Sequence, residues 1–232
     1  MTLQGVSLII PALNEAEAIG PTLRELPWGI FDECIVVDNG STDGTAEEAL
    51  RNGARVIREP RRGYGRACHS GVLAANRDCQ VLAFMDADGS DVPSDLARLI
   101  QPVVAGQADF VLGSRILGTR EPGSLLPSQV FAAGLAGMLM RLRLGVRYTD
   151  MGPMRVISRS AFESIRMSEM TYGWNLEMQV RAAQLRLRVQ EAPTGCRRRR
   201  AGVSKVSGSV TGSLRATARI MQVLLRAAAT PE

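Results

Sequence analysis

Histidine and lysine are almost missing from this chain: His69 is the single histidine, and Lys205 is the single lysine among 28 basic residues. A metal site or proton relay built from several histidines is therefore excluded, and His69, next to Cys68 in a helical stretch, reads as structural. The four cysteines (Cys34, Cys68, Cys79 and Cys196) show none of the close pairings that ligate zinc. Cys34 and Cys79 lie in or beside apolar strands and read as buried thiols of a reducing compartment. Aromatic residues make up only 4% of the chain, too few for the ring ladder on which single-stranded nucleic acid stacks. No apolar run approaches the roughly 20 residues of a membrane-spanning helix. The longest outside the strands, 130–140, holds two glycines and stops at Arg141. Met1-Thr2-Leu3-Gln4-Gly5 runs straight into the first strand, so no signal peptide and a cytoplasmic location are expected. No Gly-x-Gly-x-x-Gly follows that strand, which removes the dinucleotide fingerprint.

At 232 residues, 45% hydrophobic and 22% charged, the chain suits one globular domain with an extension. The expected division is 1–210 for the domain and 211–232 for a C-terminal amphipathic helix or tail. Charge is split along it. Residues 1–180 carry 17 basic and 21 acidic side chains, whereas 181–232 carry 11 basic and 2 acidic. The basic end suggests phosphates, an anionic membrane surface or nucleic acid.

Short apolar runs alternate with helical stretches. Val6-Ser7-Leu8-Ile9-Ile10 is a strand stopped by Pro11, and a helix runs from Asn14 to about Leu26. Strands at 33–38, 55–58, 81–86 and 110–113 follow, separated by helices at 45–52, 65–77 and 93–105. This alternation predicts an α/β fold with a mostly parallel central sheet and helices on both faces, its first part a Rossmann-like nucleotide-binding half. Right-handed crossovers then bring Pro11, Asp38 and Asp86 to one edge of the sheet. Beyond Arg115 the pattern weakens. A loop is expected at 117–128, an apolar helix at 130–144, a strand at 155–158, a helix at 172–185 and a terminal helix at 214–228.

The chemistry concentrates in Met85-Asp86-Ala87-Asp88-Gly89, where two carboxylates follow an apolar strand. A divalent metal that also holds phosphates needs only one or two carboxylates from the protein, and the carboxyl edge of a parallel sheet is a suitable place for them. Asp-x-Asp-Gly is also an ordinary turn sequence. The stretch from Val37-Asp38-Asn39-Gly40 to Asp43-Gly44-Thr45 joins a strand to a helix. Its Asp38 can accept hydrogen bonds from a ribose or a base edge; the plain alternative is a polar turn ending in a helix cap.

These blocks resemble family 2 glycosyltransferases. Pro11-Ala12-Leu13-Asn14-Glu15, Val37-Asp38-Asn39-Gly40-Ser41, Gly63-Tyr64-Gly65-Arg66-Ala67, Asp86-Ala87-Asp88 and Gly113-Ser114-Arg115 stand in the family's order. So do Asp150-Met151-Gly152-Pro153-Met154-Arg155, Tyr172-Gly173-Trp174-Asn175-Leu176-Glu177-Met178 and Arg199-Arg200-Ala201-Gly202-Val203-Ser204-Lys205. The likeness covers about 6–210 and leans to the dolichyl-phosphate mannose synthase-like branch. It implies the GT-A fold and a metal-dependent, inverting transfer of a hexose from a GDP- or UDP-linked donor to a polyprenyl or dolichyl phosphate.

It further implies that Pro11, Asn14, Glu15 and Asp38 frame the nucleoside. Asp86 and Asp88 hold Mg²⁺ or Mn²⁺ and the diphosphate, and Arg115 and Arg155 meet phosphate or sugar oxygens. Arg200, Ser204 and Lys205 sit in a loop that closes over the diphosphate. Asp150 and Glu177 are the carboxylates to test as base or sugar-orienting group. The related synthases follow Asp-x-Asp with Leu-Gln-His-Pro, whose glutamine can join the metal; here Gly89-Ser90-Asp91 follows, so Ser90, Asp91 or water takes that place. Read from the residues alone, Arg155 could be a surface cation, Glu177 an exposed helix residue and Arg199-Arg200 solvated tail. A lipid acceptor requires contact with the inner face of the membrane, for which 130–144 and 214–228 offer apolar and arginine-bearing faces. A homo-oligomer is left open, and no nucleic-acid partner is expected. The rivals are the same chemistry on a soluble phosphorylated metabolite or a sugar hydroxyl, a nucleotidyltransferase, and a basic nucleic-acid-binding module.

Overall fold

The computed structural model describes residues 5–201. Seven strands form one sheet in the order β3-β2-β1-β4-β6-β5-β7. The first half is wholly parallel: β1 (Val6–Ala12), β2 (Glu33–Asp38), β3 (Arg55–Arg58) and β4 (Val81–Phe84). In the second half β5 (Phe110–Ser114) and β7 (Val189–Pro193) pair in parallel, while β6 (Arg155–Ser158) runs antiparallel between β4 and β5. The start of β6 therefore lies at the edge where β1, β4 and β5 end.

The central strands are buried on both faces, and their alternate residues feed two separate cores. Ile9, Ile35, Leu82 and Phe84 pack with α3 (Tyr64–Ala74), α5 (Pro127–Leu144), α6 (Arg159–Ile165) and α7 (Trp174–Gln184). Leu8, Ile10, Val36 and Ala83 pack with α1 (Ala16–Arg24), α2 (Thr45–Arg51) and α4 (Leu96–Val104). Phe84, Phe162 and Trp174 meet at ring-centroid distances of 6.0–6.4 Å; each such pair is worth about 1 kcal/mol beyond its burial. Together they lock α6 and α7 onto β4. Gly71 lets α3 press onto Ile9 of β1, because a Cβ there would collide with the isoleucine methyl.

Several boundaries differ from expectation. β1 continues through Pro11 to Ala12. Ile9 accepts from the Met85 amide and Ala12 from the Asn39 amide, so alternation turns Pro11 toward β4, past the last paired residue. There its missing N–H costs nothing. β4 ends at Phe84, which leaves Asp86 and Asp88 in the following loop. The short helix α6 and the edge strand β7 are not foreseen in the pattern. α6 has only seven residues, capped by the Ser158 hydroxyl accepting from the Ala161 amide. β7 lies at the edge of the sheet and its residues are half-exposed to exposed, so no apolar alternation marks it. The expected helix at 214–228 and the tail 211–232 lie outside the described residues.

Candidate active site

The tips of β1, β2, β4 and β5 and the start of β6 surround one cleft of about 910 Å³. Of the residues singled out in the sequence, Pro11, Glu15, Asp86, Asp88, Ser90 and Arg115 line it. Asn39, Tyr64, Met151, Tyr172, Asn175 and Arg199 are among its other walls.

The acidic pair faces into this cleft. The Tyr64 hydroxyl donates to Asp86 Oδ1 at 3.1 Å. Burial, reinforced by the charge of Asp88, pushes Asp86 up to about 7. Asp88 Oδ1 accepts from the Ser90 amide at 2.8 Å, which shapes the turn. Asp91 stands behind, buried, its Oδ2 accepting from the Asp86 amide at 3.0 Å. Burial and the Asp86 charge raise Asp91 well above the ordinary carboxylate range. Among the described residues no three acidic, histidine or cysteine side chains converge as a metal cage. Asp86 and Asp88 supply two oxygen donors on one turn, where burial and the neighbouring negative charge disfavour ionisation of Asp86. A divalent cation offsets that charge, so the donor set fits Mg²⁺ or Mn²⁺ that takes its other ligands from phosphate and water.

Arginines arrive from a distant part of the chain. Residues 196–200 fold back along the acidic turn, with the Arg197 amide donating to Ser90 O and the Arg200 amide to Asp88 O. Arg199 reaches into the cleft, 2.8 Å from Asp88 Oδ2 and 3.0 Å from Glu15 Oε1. Arg200, expected over the diphosphate, instead turns outward and pairs with Glu25. The cluster is thus no solvated tail: its third and fourth members, Arg199 and Arg200, differ in role, and adjacent arginines carry no sequence signal that separates them. Ser204 and Lys205 lie outside the described residues.

Arg115 follows β5 and grips Asp150 with two parallel contacts, Nε–Oδ2 at 2.8 Å and Nη2–Oδ1 at 2.9 Å. The Arg115 and Met151 amides donate to the same carboxylate. This guanidinium, opposing the effect of burial, holds Asp150 below its usual range. Both oxygens of Asp150 are therefore committed behind Arg115, an arrangement that suits holding the arginine in the cleft and does not suit accepting a proton.

The structure does not bring the remaining expected residues into the cleft. Asp38 is buried and accepts from the Ser41 amide at 2.8 Å. Asn14 sits at φ +51°, a left-handed conformation that asparagine tolerates, and ties the β1 loop to the β2 loop by accepting from the Thr42 amide. Arg155 is neither a surface cation nor a cleft residue. It is fully buried, donates to the backbone oxygens of Asn175 and Gly152, and packs over the Phe110 ring. Burial lowers it to about 10. Glu177 is buried as well. It accepts from the Ser168 and Glu169 amides, the Ser168 hydroxyl and Arg181. It pins the segment that runs on to 170 and 171, on which the start of α3 rests through Gly65 N to Thr171 O and Arg66 N to Met170 O. Glu177 thereby holds a wall of the cleft from behind.

Three lining residues carry no strong sequence signal. Asn39 is spent on architecture: its amide donates to Glu59 O and Arg61 O and accepts from the Gly63 amide. Tyr64 orients Asp86. Asn175 is different, because its Oδ1 is enclosed yet has no hydrogen-bond partner among the described residues, a situation that costs about 1–3 kcal/mol. The blocks carrying Tyr64 and Asn175 are visible in the sequence, but which member of a block faces the cleft is decided by helix phase.

Fold and site define a class, the GT-A glycosyltransferases. The model of glycosyl transferase family 2 matches residues 7–166, and the chain belongs to that family. It is 41% identical over 216 residues to an uncharacterized glycosyltransferase of Mycobacterium tuberculosis, covering 92% of this chain and 95% of that protein. It is 34% identical to the undecaprenyl-phosphate mannosyltransferase of Micrococcus luteus, covering 89% of each chain. It is 33% identical to the polyprenol monophosphomannose synthase of Mycolicibacterium smegmatis, covering 89% of this chain and 82% of that one. These last two bear out the expected dolichyl-phosphate mannose synthase-like branch. Among solved structures, glucosyl-3-phosphoglycerate synthase from Mycobacterium tuberculosis superposes with a TM-score of 0.79 at 22% identity, covering 98% of this chain and 81% of that one. It shares the fold; one structure of that enzyme holds Mn²⁺, UDP-glucose and glycerol 3-phosphate.

Proposed function

We propose that this glycosyltransferase moves a hexose, with inversion, from a GDP- or UDP-linked donor to a polyprenyl phosphate, using Mg²⁺ or Mn²⁺ held at Asp86 and Asp88. The observation that carries the reading is the shared cleft: the acidic pair, the β1 tip with Pro11 and Glu15, and Arg115 face the same space. The β1 and β2 tips offer the nucleoside its place, and the acidic turn lies beside them. When bound there, the cation stabilises the negative charge that collects on the departing diphosphate. Arg115, kept in place by Asp150, faces phosphate oxygens on the far side of the acidic pair. By resemblance, Ser204 and Lys205 belong to the segment that closes over the donor.

The acceptor follows from which carboxylates are free to act. A phosphate monoester, with a second pKa of about 6, attacks as an anion and needs no base. That suits a site in which Asp150 and Glu177 are both fully engaged. The lipid is favoured by α5. Its exposed Phe131, Met138 and Leu142 recur at helical spacing on one face, which continues from the cleft rim at Leu125 and Leu126. Exposed Arg141, Arg143 and Arg147 suit an anionic surface beside it. No helix among the described residues is long and apolar enough to cross a membrane, so the contact is proposed as peripheral, at the inner face.

Labelled GDP-mannose and UDP-glucose, incubated with Mn²⁺ and polyprenyl-phosphate vesicles, test this. Label is expected in the organic extract. Label confined to the aqueous phase, on an added phosphorylated metabolite, overturns the lipid acceptor. A thermal-shift screen of GDP-, UDP- and dTDP-sugars with and without metal identifies the donor, because a ligand of the folded state raises Tm.

A further inference from the structure

The enclosed oxygen of Asn175 deepens that reading and rests on it. Asn175 is the second residue of α7, and its position is fixed from two sides. Trp174 beside it is fully buried against Phe84 and Phe162. Its own backbone oxygen accepts from the buried Arg155 at 2.9 Å. The side chain nonetheless lines the cleft, and its Oδ1 is shut off from solvent without a partner among the described residues. Native proteins leave few buried acceptors unpaired, and a turn of the side chain on its fixed backbone brings this oxygen out to a donor on a ligand in the cleft.

The chemistry of the ligand says which donor. A phosphate or diphosphate near neutral pH offers oxygen acceptors almost exclusively, so neither the leaving group nor the acceptor headgroup satisfies Oδ1. The nucleoside is assigned to the β1 and β2 tips, across the acidic turn. The hexose remains, and it is rich in hydroxyl donors. Its place next to the diphosphate puts it on the side of the cleft lined by Met151, Pro153 and Asn175. We propose that Asn175 is a specificity-determining residue whose side-chain oxygen accepts a hydrogen bond from one hydroxyl of the transferred hexose.

The test uses the full chain with Mn²⁺ and whichever of UDP-glucose and GDP-mannose it binds, together with the monodeoxy versions of that donor and the bare nucleoside diphosphate. Calorimetric affinities are compared between wild type and Asn175→Ala. Wild type is expected to lose tenfold or more on one deoxy donor. Asn175→Ala should bind the bare diphosphate within twofold of wild type, bind the parent donor at least tenfold more weakly, and not distinguish it from that deoxy donor. Its Tm without ligand should equal or exceed that of wild type, because an unpaired acceptor has been removed. Asn175→Asp, which keeps the acceptor, should retain the deoxy discrimination. The inference is overturned if no deoxy donor is bound more weakly by wild type, or if Asn175→Ala keeps the discrimination. Failure of wild type to bind any nucleotide sugar would instead overturn the function on which the inference rests.

Discussion

The two halves of the sheet are built differently, and the site inherits the difference. From β1 to β4 every strand is parallel, and each tip reaches the cleft a few residues after its strand ends. From β5 onward the sheet is mixed, and contacts join residues far apart in the chain: Arg115 with Asp150, Arg199 with Glu15 and Asp88. The first half supplies local loops whose chemistry is compact in sequence. The second supplies clamps and walls whose partners only the fold reveals.

Breaking the compact half should have the largest effect. Asp88→Ala is expected to lower transfer by about 10²–10³-fold, the scale of losing one preorganised electrostatic contact in a transition state. It should also abolish the metal-dependent part of the nucleotide-sugar thermal shift. An undiminished shift would show that the cation is held elsewhere.

The clamps of the other half should register first as stability. Arg115→Ala leaves the buried Asp150 carboxylate without its partner, and denaturant unfolding should show a loss of about 3–5 kcal/mol. The same pair sets a pH dependence. Because Asp150 titrates lower in the folded chain than in the unfolded one, its contribution is present above the unfolded value of about 3.9 and declines as pH falls below it. Asp150→Asn should flatten that acid limb, and a limb unchanged in the variant would remove Asp150 as its source.

The smallest contrast sharpens the comparison most. Arg199 lies between two buried carboxylates, whereas Arg200 joins a more exposed one. Arg200→Ala should cost under about 1 kcal/mol, as exposed pairs do, and should leave nucleotide-sugar affinity within twofold. Arg199→Ala should change metal and donor affinity measurably in direct titrations. Equal behaviour of the two variants would mean that the fold-back of 196–200 has no bearing on the cleft.

This asymmetry also accounts for what could be read from the chain. The alternation of apolar runs with helical stretches made the parallel half plain, and Pro11, Asp86 and Asp88 were found as cleft residues because strand tips converge by topology, Glu15 through the family resemblance; Asp38, placed at the same edge, turns away from the cleft. Arg155, Glu177 and Asp150 were recognisable as special, but their side chains turned out to hold backbone groups and, for the two carboxylates, Arg181 and Arg115. A charged residue in an apolar stretch looks the same whether it meets a ligand or braces a loop. Only its neighbours across the fold separate the two. Tyr64 and Asn175 escaped because a helix presents one residue in three or four to a given neighbour, and phase is set by packing on Phe84 and Ile9 rather than by local composition. The strand at 155–158 was expected, but its antiparallel direction was invisible because that depends on the long excursion before it.

That excursion ends where it begins. Chain leaves the sheet at Arg115 and returns through Asp150, and the two are clasped at its neck by three hydrogen bonds. Between them the rim loop and α5 lie outside the strand ladder, tied to the rest where the loop bonds to Cys196 and where α5 packs Ala136 and Met140 into the core. Lengthening or shortening the exposed part of the rim loop would alter what the enzyme greets on its outer side without shifting a single strand. An insertion tolerated there and nowhere along β1–β4 would make this stretch an interchangeable module, the natural place for the scaffold to diversify its acceptors.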